Sequence, residues 1–228
     1  ALEVAREHDD PDLEVLALGR LGLLYVAAGD VDAGVAALDE AMAAASAGEC
    51  RDPETVATTY CALLEAAELL GDSDRFSQWT AAVAEVRGGP GFGPLDTYGP
   101  AVGFGNLSAF CGSCCGGMYL VTGRLDQAEG ELTAAIADLE ASGMGSRCVH
   151  PVTQLAELRV LQGRLEEARA LLGRYEDLPE AVRPLAVMEL AASDPGPAAA
   201  RLQRRLEDLD GSPVVALPLL TVLVDAHL

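Results

Sequence analysis

The stretch CGGMYLVTGRLDQAEGELTAA, residues 115–135, carries the strongest structural signal in this chain. A small residue, Gly116, stands three positions before an aromatic residue, and a glycine at 123 separates them from Ala128 and Leu132, which are four apart. Side chains three or four positions apart share one face of an α-helix. A glycine between two such patterns ends a helix at little cost, because it tolerates a positive φ. The stretch therefore predicts two helices joined by a tight turn at Gly123.

The same spacing recurs before and after this stretch. One earlier copy consists of Leu21, Gly22, Tyr25, Gly29, Val31, Gly34, Leu38 and Ala41, and a later copy consists of Leu155, Ala156, Gly163, Leu165, Ala168 and Leu172. This recurrence is the sequence pattern of tetratricopeptide repeats, in which each unit is a helical hairpin. A single hairpin leaves half of its apolar stripe in water, so neighbouring hairpins must stack to bury it. The sequence predicts an all-α fold, a right-handed superhelical α-solenoid of tetratricopeptide-like helical hairpins.

We expect a single repeat domain over residues 1–228, and the periodicity predicts hairpins at roughly 13–48, 53–87, 106–141, 150–176 and 180–210. The turn glycines Gly29, Gly71, Gly123 and Gly163 are 42, 52 and 40 residues apart, which is longer than the usual repeat of about 34. Residues 1–8 resemble a second helix and residues 212–228 a first helix, each without its partner. We therefore expect a fragment of a longer protein, or ends that pair with another copy in a homodimer.

The longest interval contains an irregular Gly/Pro-rich connector at 87–106, which excludes a continuous helix there. The connector also contains three aromatic residues, Phe92, Tyr98 and Phe104. Two interpretations stay open for it. Either its aromatic side chains hold it against the solenoid, or they form a lid over a concave pocket.

The charge balance restricts the classes of partner. The chain has 36 acidic and 15 basic residues, giving a net charge of -21, and contains no Lys. Such a charge repels phosphate backbones and anionic lipids, so we expect no direct contact of this segment with nucleic acid or membrane. The longest nearly apolar run, 214–224, is too short to span a bilayer, and no secretory segment opens the chain, which favours a cytoplasmic protein. The acidity either keeps an apolar solenoid soluble or forms a groove for a cationic partner.

The six cysteines are at positions 50, 61, 111, 114, 115 and 148. Cys111, Cys114 and Cys115 are three and four apart on one predicted helix and would cluster on one side of it. Three interpretations stay open for this cluster: simple packing, a metal site, or a thiol switch. The usual zinc-binding pairs of cysteines are missing, and a disulfide framework is not expected in a cytosolic chain of this size.

The repeat positions predict which residues line a concave groove. In such solenoids the groove is lined by first-helix residues two, five, nine and twelve places into each repeat. The positions assigned in this way are Thr58, Cys61, Glu65, Glu68, Phe110, Ser113, Gly117, Leu120, His150, Thr153, Glu157 and Val160. Three carboxylates would then face one imidazole, an arrangement that suits a cationic peptide or amine and would respond to pH near the free histidine pKa of about 6.5. Alternatively, His150 only begins a helix before Pro151.

Catalysis has little support in the residues. No carboxylates form a recognisable acid and base pair, and the three histidines, at 8, 150 and 227, show no Ser-His or Cys-His arrangement. The absence of Lys removes a phosphate-loop lysine and a Schiff-base lysine. We therefore predict a non-enzyme that needs no cofactor.

Three segments resemble the helical-repeat region of large LuxR-type transcriptional regulators. They are LDEAMAAASAGE at 38–49, TYCALLEA at 59–66 and RFSQWTAA at 75–82. In such regulators an ATPase module comes first, a helix-turn-helix module comes last, and the repeats between them sense a ligand or partner. The resemblance implies a sensor or interaction domain that binds a peptide, protein or small effector. The alternative is a thiol or metal sensor that uses Cys111, Cys114 and Cys115.

Overall fold

The structure is a computed structural model that describes residues 1–87, 104–209 and 213–228. Most of these residues are helical and none of them forms a β-strand, so the all-α prediction is confirmed for this part of the chain. The helices are α1 (Leu2–Glu7), α2 (Pro11–Ala28), α3 (Val31–Ser46), α4 (Pro53–Leu70), α5 (Ser73–Arg87), α6 (Phe104–Val121), α7 (Leu125–Ala141), α8 (Val149–Leu161), α9 (Leu165–Leu172), α10 (Val182–Ala191), α11 (Pro195–Glu207) and α12 (Pro213–His227). Short 3-10 segments, Gly145–Cys148 and Pro179–Ala181, lead into α8 and α10.

Eight turns among the described residues share one hydrogen-bond geometry. At the turn after α6, the Gly123 N–H donates to the Leu120 carbonyl at 3.1 Å and the Arg124 N–H donates to the Tyr119 carbonyl at 2.8 Å. This pair of bonds satisfies carbonyls that a helix end leaves without partners. The same pair of bonds, with a positive φ at the turn residue, follows α2, α4, α8 and α10, at Gly29, Gly71, Gly163 and Ser193, and also α1, α3 and α7, at Asp9, Gly48 and Gly143. The glycine pattern did not predict the turn after α10, because the turn residue there, Ser193, is not a glycine, although its φ is 61°.

Aspartates fix the start of several helices. The Asp10 carboxylate accepts a hydrogen bond from the Leu13 N–H at 3.1 Å at the start of α2, and Asp52 caps α4 in a similar way. Asp12 reaches across to the loop before α4, where it accepts bonds from the Arg51 and Asp52 N–H groups at 3.1 and 3.0 Å. Such caps satisfy backbone donors that a helix start leaves open. Part of the chain's acidity therefore has a structural use.

The chain divides into two compact units, Ala1–Cys114 and Cys115–Leu228. In the first unit, α2 packs against both α3 and α4, and α4 packs against α5. The contact between α2 and α3 depends on two glycines. A Cβ added to Gly22 would lie 2.6 Å from the Leu38 Cγ and 2.8 Å from the Gly34 carbonyl oxygen. The helices therefore approach to a distance that leaves no room for a larger residue.

In the second unit, each helix from α7 to α11 contacts its successor. The first helices of successive helix pairs also contact one another, α8 with α10 and α10 with α12. Leu132 of α7 is fully buried in a cluster with Ala128, Leu155 and Leu158. A Cβ on Gly116 would lie 2.5 Å from the Leu132 Cγ. The small residue of the repeat pattern thus lies where the second helix of the hairpin approaches.

Candidate functional site

The predicted groove residues of α4 lie in the first unit. Thr58, Cys61, Glu65 and Glu68 are spaced so that they share one side of the helix. Thr58 and the two glutamates are partly exposed, whereas Cys61 is only 4 % exposed. A ligand approaching this side of α4 would therefore meet a hydroxyl and two carboxylates, and not the thiol position.

The groove residues predicted on α6 differ in their accessibility. Phe110 is partly exposed, but Ser113, one helical turn further on, is 1 % exposed. Gly117 and Leu120, which belong to the second unit, are also buried. Of the α6 positions assigned to the groove, Phe110 is thus the one that offers surface.

On α8 the structure supplies a partner that the sequence analysis missed. Glu157 is 8 % exposed and forms an ion pair with Arg183 of α10. Thr153 donates a hydrogen bond from its hydroxyl to the His150 carbonyl at 2.8 Å, and His150 itself is partly exposed. The carboxylate of Glu157, which the sequence analysis assigned to the groove, is therefore buried and paired with an arginine of α10.

Arg183 could have been found from the repeat spacing. It precedes its turn residue, Ser193, by ten positions, as Thr153 precedes Gly163 and as Cys61 precedes Gly71. The turn after α10 lacks the glycine on which the assignment depended. The four titratable residues expected to face one another are also divided between the units, Glu65 and Glu68 in the first and His150 and Glu157 in the second.

A second group of charges joins α7, α8 and α9. Arg159 of α8 is 7 % exposed, and its Nη2 lies 2.8 Å from the Glu129 Oε1 of α7. Gln162 donates to the same carboxylate at 3.0 Å. The hydrogen bonds from Arg159 and then Gln162 lower the pKa of Glu129 to about 2. These side chains form hydrogen bonds and ion pairs with one another. The arrangement therefore favours a structural role over ligand binding.

The cysteines are arranged differently from the prediction. Cys111 of α6 forms a disulfide with Cys61 of α4, and their Cα atoms are 5.4 Å apart. The sequence analysis did not expect a disulfide framework and did not predict this single bond, because the bond joins cysteines on two different helices, separated by 50 positions. Cys111 consequently cannot supply a thiolate to a metal together with Cys114 and Cys115. Among the residues that the structure describes, no group of three or more His, Cys, Asp or Glu side chains is placed to hold a metal ion.

Two of the remaining thiols have suppressed acidity. Burial, followed by the nearby carboxylates of Asp12, Glu49 and Asp52, raises the pKa of Cys50 to about 11. Burial also raises the pKa of Cys148. Both thiols therefore stay protonated at neutral pH and are poor nucleophiles.

A cavity of about 310 Å³ lies beside α9, α10 and α11 in the second unit. The apolar part of its lining includes Leu172, Leu185 and Met188, and the Arg201 side chain at its edge pairs with Glu189 at 2.8 Å. The short α9 ends at Leu172, which leaves this part of α10 less covered. Nothing in the repeat pattern predicted the cavity, because it follows from the length of a second helix.

The predicted lid falls mostly outside the described residues. Phe92 and Tyr98 belong to residues 88–103, which the structure does not describe. Phe104 begins α6, but its side chain is also outside the described part of the chain.

Within the described ranges, no helix combines the length and the apolar character that crossing a membrane requires. Comparison of the chain with protein-family models, with curated proteins and with solved structures gave no significant match.

Proposed function

We propose that this chain is a non-enzymatic binding domain, the sensor or interaction region of a transcriptional regulator, whose hairpins stack as a right-handed α-solenoid. The observation that carries the proposal is the contact between successive first helices, α2 with α4, α8 with α10 and α10 with α12. Stacking through first helices leaves their remaining side for a partner. The turn geometry at the ends of α2, α4, α6, α8 and α10 supports the same repeat, although α1, α3 and α7 end in the same way. The place in a transcriptional regulator is supported by the resemblance of residues 38–49, 59–66 and 75–82.

The partner that this surface suits is a cationic peptide, protein or small effector. Glu65 and Glu68 are one helical turn apart on α4, and both are partly exposed beside Thr58. Opposite charges at such a surface attract a basic partner and accelerate its association. Glu157 is left out of this proposed surface, because it is only 8 % exposed.

The proposal is tested with a fluorescein-labelled octa-arginine peptide and fluorescence anisotropy at low salt. Replacing both glutamates, Glu65→Gln with Glu68→Gln, should weaken binding about tenfold, because each lost charge contact contributes on the order of 0.5–1 kcal/mol. The matched control, Glu3→Gln with Glu7→Gln, removes the same charge from exposed positions of α1. Equal loss of affinity in both double variants would show that peptide binding depends only on the net charge of -21. That result would overturn the α4 site.

A further inference from the structure

The disulfide between Cys61 and Cys111 joins the first helices of two consecutive hairpins. Cys61 lies ten residues before the turn at Gly71, and Cys111 lies twelve residues before the turn at Gly123. Their Cα separation of 5.4 Å is within the range that disulfides adopt. The bond therefore acts at the contact between α4 and α6, which in a stacked repeat is held by side-chain packing alone.

The two bridged cysteines differ in the exposure of the whole residue. Cys61 is 4 % exposed, whereas Cys111 is partly exposed. Exchange of a disulfide requires an in-line approach of a thiolate to one of its sulfurs, so access decides which sulfur is attacked. Because Cys111 is the more exposed residue, we expect a thiolate from solution to attack its sulfur, with Cys61 as the leaving group.

The other cysteines do not share this arrangement. Cys50, Cys114, Cys115 and Cys148 are outside the disulfide, although Cys114 and Cys115 follow Cys111 within the same helix. Cys114 is 1 % exposed, and burial raises the pKa values of Cys50 and Cys148. One bridged pair is thus combined with four cysteines outside it, two of them buried and two partly exposed. This distribution differs from the fully bridged pattern of small secreted domains.

We propose that the Cys61–Cys111 pair is a reversible redox site, opened by a dithiol reductant and closed by the corresponding disulfide, that controls the tie between α4 and α6. In the reductive direction, one thiolate of the dithiol attacks the Cys111 Sγ, the Cys61–Cys111 bond breaks, and the Cys61 sulfur leaves as a thiolate that takes a proton. The second thiol of the reductant, as its thiolate, then attacks the reductant sulfur in the mixed disulfide. This step forms the reductant's own disulfide and releases Cys111 as a thiolate, which takes the second proton. Two electrons pass to the protein, and the dithiol is oxidised.

Opening the bond should lower the stability of the first unit and leave its helices formed. The bond closes a loop with a sequence separation of 50 residues that contains the whole of α5. Cross-links that close long loops stabilise chiefly by limiting the unfolded chain. Thr58 and Glu65 flank Cys61 by one turn on either side of it along α4, so the tie also holds the helix that carries the proposed partner surface.

The test is a redox titration of the full chain in native buffer with mixtures of reduced and oxidised dithiothreitol. Thiols are trapped with N-ethylmaleimide and located by peptide mass spectrometry. We expect Cys61 and Cys111 to gain the label together, at one midpoint, while the helical circular dichroism signal is retained. The thermal midpoint of the reduced protein should fall by about 10 °C. Because the readouts are thiol labelling and stability, they are independent of whether the octa-arginine peptide binds.

Two variants sharpen the result. In both oxidised and reduced dithiothreitol, Cys111→Ser should have the low thermal midpoint of the reduced unaltered protein, and it should lose the paired labelling. Cys50→Ser should behave as the unaltered chain does. Should Cys111→Ser fail to fold, the titration of the unaltered chain still decides. The proposal is overturned if both cysteines are labelled in oxidised buffer, if Cys61 bridges to Cys114 or Cys115 instead, or if the bond opens only after guanidinium unfolds the protein. The last result would identify a permanent cross-link.

Discussion

Two glycines set the spacing between α2 and α3. Gly22 and Gly34 face each other across α2 and α3, and an added Cβ at Gly34 would lie 2.7 Å from the Gly22 carbonyl oxygen. Backbone atoms cannot move aside as a flexible side chain can, so the cost of a larger residue falls on the helix contact itself.

The substitution Gly22→Ala should therefore destabilise the protein by about 1–3 kcal/mol, although alanine is the better helix former. The matched control is Gly130→Ala in α7, where an added Cβ would meet nothing within 4 Å. That change should stabilise by about 0.5–1 kcal/mol. Urea unfolding of the three proteins measures both differences. A stabilising Gly22→Ala would mean that α2 and α3 are not in close contact.

At the scale of the elements, ion pairs join α8 to the helices that precede and follow it, α7 and α9. Glu129 of α7, Arg159 of α8 and Glu167 of α9 form such a set, with Arg159 within 2.8 Å of Glu129 and 3.6 Å of Glu167. Arg164 adds a short pair to Glu167 at 2.6 Å. The Glu129 side chain is 35 % exposed, so water screens part of its attraction to Arg159.

The Glu129 pair predicts a specific dependence of stability on pH. Its pKa is lowered from 4.5 to about 2 in the folded protein. The stabilisation is therefore complete above the unfolded value and is lost as pH falls from about 4.5 towards about 2. With the discount for exposure, we expect a contribution of about 1 kcal/mol at pH 7.

The measurement compares the unfolding free energies of the unaltered protein and Glu129→Gln between pH 7 and pH 3. Their difference should shrink as pH falls through this window. Glu131→Gln, an exposed position two residues along α7, supplies the effect of removing one surface charge. A difference that stays constant down to pH 3 would show that Arg159 does not favour the ionised carboxylate.

At the scale of the whole molecule, like charges dominate. The 36 acidic residues exceed the 15 basic ones by 21, and such an excess repels itself in the compact state more than in the unfolded chain. Added salt screens this repulsion over the Debye length, which falls from about 10 Å at 0.1 M to about 3 Å at 1 M.

The thermal midpoint should consequently rise by roughly 5 °C between 20 mM and 500 mM sodium chloride at pH 7. Near the sequence pI of about 4.3, where the net charge is small, the same salt should have little effect. Differential scanning calorimetry gives both values. A midpoint that falls with salt at pH 7 would mean that attraction within the ion pairs outweighs the net repulsion.

The amino-acid sequence alone determined the helical hairpins, because their signals are local. Turn glycines, small residues beside large apolar ones and a three-to-four periodicity act within a few positions, and φ is positive at Gly29, Gly71, Gly123 and Gly163 as the pattern requires. Where the local signal was absent, at Ser193, the sequence analysis missed the turn. Phe92 and Tyr98 remain predictions, since they lie outside the described residues.

Only the tertiary structure decided which side chains meet. Cys61 and Cys111 are 50 positions apart, and Glu157 and Arg183 are 26 positions apart. The periodicity within one helix cannot predict such contacts, because they depend on how neighbouring helices are shifted and rotated relative to each other. That geometry comes from the close approach at small residues and from the burial of leucines such as Leu132, and it turned a predicted groove cysteine into a covalent tie and a predicted ligand carboxylate into a buried ion pair.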